Sequence, residues 1–195
     1  MLKLTKSELR DQQKSLQQLG RYLPTLQLKK TLLQVEVNKT TTEIEERNDL
    51  WQKARNEVLV FAPLLVEKVE CNVMQYAEIA HVHKRYENIA GVEIPEFEQI
   101  IFQDADYFLF DTPLWTDPAL MLIKKLVEAK ERVKVAEEKK RALEKELREV
   151  SIRVNLFEKV LIPRAMNNIK RIKVFLGDQQ LTAVAQAKVA KRKKR

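Results

Sequence analysis

The sequence predicts an all-α-dominated protein. Two long helices form an antiparallel left-handed coiled coil, and a short middle segment of helix and β-hairpin joins them. Three observations lead there. Apolar residues recur every seven positions over the first sixty residues and again after residue 118. Only three glycines stand among 195 residues, in a chain that is 33% charged and 45% hydrophobic, as helix-rich proteins are. Four of the six prolines, Pro63, Pro95, Pro113 and Pro118, set the middle apart from its flanks. The expected organisation is a first helix over 1–62, a middle segment over 63–117, a second helix over 118–180 and a basic tail over 181–195.

The first helix opens on Thr5-Lys6-Ser7-Glu8, a capping box in which a hydroxyl takes an orphan backbone donor and a carboxylate follows three residues on. Its seam is Leu2, Leu9, Leu16, Leu23, Lys30, Val37, Ile44, Trp51 and Val58. The companion row holds Leu19, Leu26, Leu33, Thr40, Ala54 and Phe61, with Gln12 and Arg47 as polar exceptions. A seven-residue period this long implies supercoiling with another helix, and it exceeds the 8–20 residues of an ordinary globular helix. Pro24, after Gly20, kinks a continuous helix or starts a new one; the unbroken phase across it favours the kink. Pro63 closes or bends this element.

Leu64 to Arg85 reads as mostly helix-compatible. From Glu87 to Asp117 the charges thin out. Ile89, Val92 and Ile94, and later Phe108, Leu109 and Phe110, suit short strands, with loops at Ala90-Gly91 and Asp111-Thr112-Pro113. Asp117-Pro118 then reads as an N-cap acid before a proline at the first helical position. The second seam is Leu122, Leu126, Ala129, Val133, Ala136, Leu143, Leu147, Val150, Val154, Phe157 and Leu161, with Lys140 its polar member. It continues through Ala165, Ile169, Ile172 and Leu176, at spacings that run 3, 4, 4, 4, 3 and 4 from Val154. Pro163 lies inside this stretch, where a proline costs about 3 kcal/mol against alanine, so the helix bends there or two helices meet. Gly177-Asp178 can interrupt the helix, and the alanine-rich run to Ala190 lets it resume. A single antiparallel pair is the simplest way to bury both seams; a trimer of hairpins or a homodimeric coiled coil would bury them too.

The formal net charge is +8, and six positive charges fall in the last eight residues, which leaves +2 for the rest. The basicity therefore reads as a property of the tail, not of a face that tracks a duplex. Cys71 is the single cysteine, so an intrachain disulfide is excluded, and a reducing setting fits. The start of the chain has no apolar core of a signal peptide, and no apolar run approaches the ~20 residues of a membrane span, so a soluble or peripheral protein is expected.

Catalytic chemistry finds little support. Gly20, Gly91 and Gly177 are isolated, so no phosphate-cradling loop is expected. His81 and His83 diverge on a helix and share a face on a strand, yet structural metal sites want four ligands. Asp104 and Asp106 read as an exposed acidic loop, Cys71 as a small buried hydrophobe and Trp51 as core. No cofactor, no metal and no catalytic residue is expected.

Two stretches carry a resemblance: RVNLFEKVLIPRAMNNIKRI at Arg153–Ile172 and NIAGVEIPEF at Asn88–Phe97, with LKKTLL at Leu28–Leu33 a looser match. The chain resembles the D subunit, the central-stalk rotor, of the V-type and A-type rotary ATPases, over nearly its full length. It departs from the family pattern after Leu176 and at Pro24. The resemblance implies a non-catalytic central rotor shaft that mechanically couples ATP hydrolysis or synthesis in a catalytic ring to ion translocation. It also implies partners: the catalytic and regulatory ring subunits, the small companion F subunit and a funnel-like subunit seated on the membrane ring. The chain would lie peripherally, on the cytoplasmic side of the membrane. Subunit-interface candidates are Arg153, Arg164, Lys170, Arg171, Gly91 and Ile94. Two other classes compete: a self-associating structural or adaptor coiled coil, and a binder of nucleic acid or anionic membranes through the basic tail.

Overall fold

The computed structural model of the chain describes residues 2–63, 75–103 and 112–193. Helix α1 spans Lys6–Leu59. A 3-10 turn at Gln75–Ala77 leads into an antiparallel hairpin of β1 (Ile79–Ile89) and β2 (Val92–Phe102). Helix α2 (Thr116–Leu156) passes through a π-helical turn (Phe157–Leu161) into α3 (Ile162–Lys193). Two compact units result. Unit 1 combines Met1–Thr31 with Arg148–Arg195, and unit 2 is Leu32–Leu147.

The seven-residue seams are what the helices bury. Every predicted position from Leu2 to Phe61 is buried or half-buried, with Leu33, Val37, Thr40 and Ala54 fully so. On the other leg Val133, Ala136, Leu143, Val150, Val154, Ala165 and Ile172 are buried. The polar exceptions are not defects. Arg47 Nη1 donates to the Arg132 carbonyl oxygen at 3.0 Å in unit 2, and Asn168 Nδ2 donates to Gln12 Oε1 at 3.3 Å in unit 1. Thr40 satisfies its hydroxyl on the Glu36 carbonyl at 2.8 Å. Within unit 2 Glu43 meets Lys139 and Glu57 meets Lys125, so the legs run antiparallel there.

The N-terminus of α1 is capped as expected: Glu8 N–H donates to Thr5 Oγ1 at 3.3 Å. The Glu8 carboxylate instead accepts from Gln12. Pro24 lies inside one continuous α1, and the helix ends at Leu59 in turns closed by Phe61 and Ala62 N–H groups. Helix α2 starts at Thr116, one residue before the expected Asp117 cap. Neither Pro163 nor Gly177 breaks the second leg, and helix runs on through the tail to Lys193.

Pro163 neither separates two helices nor follows a break. The turn before it widens, so that Ile162 N–H reaches the Phe157 carbonyl five residues back while the backbone stays helical (φ −63, ψ −51 at Ile162). An α-helical proline ring clashes with the carbonyl four residues earlier, and a π turn moves that carbonyl aside. The turn also takes up one residue. From Val154 the seam advances by 3, 4, 4, 4, 3 and 4, where strict heptads alternate 3 and 4, so one residue is surplus. The bulge keeps Ala165 and Ile172 facing the partner helix as Val154 does.

The middle segment departs from expectation in the extent of its first strand. The two-residue loop at Ala90-Gly91 stands where predicted, but β1 starts at Ile79, so residues 79–85 are strand, not helix. Alternation cannot reveal this strand, because bulges between Ile79 and His81 and between His83 and Lys84 break its period. Leu64–Met74 and Asp104–Asp111, which include Cys71, Asp104, Asp106 and the expected strand at Phe108–Phe110, lie outside the described residues.

Candidate interaction surfaces

The hairpin is held against α2 by charges and rings. Lys139 is buried between two carboxylates, 3.2 Å from Glu96 on β2 and 3.5 Å from Glu43 on α1. Lys84 pairs with Glu138. The Arg132 guanidinium lies 4.8 Å from the centroid of Phe97, and Lys124 Nζ lies 5.3 Å from that of Phe102. Such contacts are worth about 0.5–1 kcal/mol each at exposed sites, and the buried lysine ties three elements at once. At the base of the hairpin Ala77, Leu120 and Ile123 form a core joined by Val58, Tyr76, Trp115 and Val127.

The hairpin tip is a tight turn with both central residues at positive φ, 52° at Ala90 and 81° at Gly91. That is the two-residue turn whose twist matches a hairpin. Asn88 Oδ1 fixes it by accepting the Gly91 N–H at 3.0 Å. Gly91 is exposed there, and the solvent side of the strands carries Tyr86 and Ile101. Ile94 is 0% exposed, so within this chain it acts as core. His81 and His83 do lie close on a strand, ring centroids 4.7 Å apart, but among the described residues no group of three metal-ligating side chains exists.

The other candidates fall in unit 1. Arg153 is exposed and pairs with Glu149 at 3.5 Å. Arg164, Lys170 and Arg171 are exposed; Arg164 lines a groove with Gln12 and Asn168, and Lys170 and Arg171 line another with Val174 and Phe175. The structure thus gathers Arg164, Lys170 and Arg171 in unit 1 and leaves Gly91 and Ile94 in unit 2.

Charge is divided between the units in a way the chain order hides. Unit 1 holds 20 Lys and Arg against five Asp and Glu, a formal +15; unit 2 holds 16 against 23, a formal −7. The basicity is therefore not a tail property. Without the last eight residues unit 1 keeps +9, and the apparent +2 of the remaining chain is the near-cancellation of +9 and −7. Folding brings residues 1–31 beside residues 148–195, and no linear window spans both.

Among the described residues no helix is long and apolar enough to cross a membrane. The family model for the D subunit of ATP synthase matches residues 8–192. Among curated relatives, the V-type ATP synthase D subunit of Chlamydia caviae is 44% identical over 197 residues, covering 98% of this chain and 93% of the relative. Those of Chlamydia abortus and Chlamydia muridarum are each 43% identical over 98% of this chain, covering 93% and 95% of the relative. Likeness on this scale takes in both legs, the hairpin and the π turn, and the chain belongs to the ATP synthase D-subunit family.

Proposed function

We propose that this chain is the central shaft of a V-type or A-type rotary ATPase, a non-catalytic subunit that couples ATP hydrolysis or synthesis in the catalytic ring to ion translocation. The observation that carries this reading is a long antiparallel helix pair whose seams are satisfied within one chain, in a member of the D-subunit family. A helix pair that needs no second copy to bury its seam can serve as a shaft inside a ring. Its orientation then biases which catalytic pocket is open, by differential contact with each. Because each seam faces the other leg within its own unit, the self-associating coiled coil is not favoured.

The finer assignments rest on the same reading. The ring subunits grip the Arg153–Ile172 stretch, where Arg164, Lys170 and Arg171 are exposed. The hairpin, with Gly91 at its tip, meets the small companion F subunit. The funnel-like subunit seats the shaft on the membrane ring, and the complex stands on the cytoplasmic side. Removing exposed charges changes stability by about 0–1 kcal/mol, so Arg164→Ala with Arg171→Ala leaves the fold intact while lowering coupling. Reconstituted complex assayed for ATP hydrolysis and ion transport tests this; normal coupling in the double variant overturns the role of these arginines. Co-purification from native membranes with subunit counting tests the shaft reading itself, and a chain found only as a self-associated oligomer overturns it.

A further inference from the structure

In unit 1 both legs carry gaps in their hydrogen-bond ladders at one level. On α1, Pro24 has no N–H to offer the Gly20 carbonyl four residues back, and its ring crowds that carbonyl. Next to it the Thr25 hydroxyl donates to the Tyr22 carbonyl at 2.7 Å, a local bond that competes with the helical ladder. A methyl group at Gly20 would meet nothing within 4 Å, so packing does not call for glycine there, and glycine is a poorer helix former than alanine. On the other leg the π turn Phe157–Leu161 is followed two residues on by Pro163, again without an N–H.

The contacts between the legs put these features opposite each other. Gln12 meets Asn168; seven residues on along α1 and seven back along α3, Leu19 and Leu161 line one groove of about 460 Å³. Five residues further on α1, about 7.5 Å along the axis, Pro24 comes level with the start of the π turn. Packing does little to hold this level. No side chain of residues 2–31 is fully buried, and on the facing leg none between Val154 and Ala165 is.

We infer that this level is a compliant joint, where the helix pair of unit 1 bends about its own axis more readily than in the turns on either side. An intact helix pair resists bending because the ladder of one leg must stretch as the other is compressed. Where both ladders already lack bonds and no buried side chain locks the legs, that resistance is lowest. The inference concerns the chain itself and does not depend on the shaft reading. In a chain that transmits force, such a joint lets unit 1 tilt beyond this level while the seams on either side stay closed. A fixed kink is the alternative.

Amide exchange in the full chain tests it. Residues 21–28 and 158–165 should exchange at least about tenfold faster than residues 14–18 and 168–172, which lie nearer the open end of the pair. Fraying alone gives the opposite gradient, so exchange that rises steadily toward that end overturns the inference. Residual dipolar couplings should need alignment tensors of different magnitude for residues 8–19 with 166–176 and for residues 25–31 with 148–154; a single tensor that fits both means a fixed kink and overturns it. Gly20→Ala with Pro24→Ala places good helix formers at two exposed positions and restores the missing donor, so the fold is kept. Exchange should then slow at 21–28 and also across the pair at 158–165. Slowing confined to α1 would mean two unconnected local gaps, and the joint would be refuted.

Discussion

The two units use the same seam and opposite surface chemistry. In unit 2 the hairpin covers a second face of α2, so Val135 and Lys139 are buried in addition to the seam. Most cations there have anionic partners: Arg47 with Glu43, Lys84 with Glu138, Lys125 with Glu57, Arg132 with Glu128 and Lys139 with two carboxylates. In unit 1 nothing among the described residues covers the helix pair. No side chain of residues 2–31 is fully buried, residues 178–193 of α3 are exposed throughout, and a polar Gln12–Asn168 layer interrupts the seam. Two helices alone can bury only a stripe of each, whereas a third layer converts a stripe into a core. The difference teaches that unit 2 is built to hold its own shape. Unit 1 leaves its charge and its apolar flanks exposed.

Truncation should expose this contrast most strongly. Leu143 is 0% exposed in unit 2, and Leu143→Ala should cost about 2–5 kcal/mol. Leu161 in unit 1 is only half-buried, and Leu161→Ala should cost less than half as much. Urea unfolding followed by far-ultraviolet circular dichroism measures both, and equal losses would break the comparison.

A smaller effect is expected at the hairpin clamp. Lys139→Met leaves Glu43 and Glu96 without their shared cation. Both carboxylates are partly exposed, so water screens much of the cost and about 1–2 kcal/mol should be lost. The loss should be local: amide exchange should quicken in β1 and β2 while α3 is unchanged. Uniform acceleration over both units would show that the lysine stabilises the whole chain and not the hairpin alone.

The smallest effect has the opposite sign. Polar residues at a seam lower stability in return for a fixed register. Gln12→Leu with Asn168→Leu should therefore raise the stability of unit 1 by about 1 kcal/mol, since an apolar pair at a half-buried seam replaces one hydrogen bond of similar worth to its solvated alternatives. Exchange protection in α3 should rise. Falling protection would mean that the hydrogen bond contributes more than the burial that replaces it.

Most of the fold was legible because the signals that carried it are local. Heptads from Leu2 to Phe61 and from Leu122 to Leu161 name the buried face of each leg, and Ala90-Gly91 names the hairpin turn. Pro163 marked an irregularity in the second leg, but its form, a π turn that absorbs one surplus residue between Val154 and Leu176, emerges only in the structure. What escaped was of two kinds. Strand β1 is masked by bulges and by a composition, IAHVHKRYENI, that suits helix as well as strand. The partners of the polar seam residues lie far along the chain, Gln12 and Asn168 at a sequence separation of 156 and Arg47 and Arg132 at one of 85.

The sequence by itself determined two long helices, their buried faces, the turn between the strands and the family likeness. Each of these depends on periodicity or on residues adjacent in the chain. The tertiary structure alone decided that Arg47 and Gln12 are cross-helix contacts, that Ile94 is core, that Lys139 anchors the hairpin and that the positive charge belongs to a whole unit. The physical reason is that charge and burial are properties of neighbours in space. An antiparallel pair places the first thirty residues beside the last fifty, and a potential summed along the chain averages away what the fold separates.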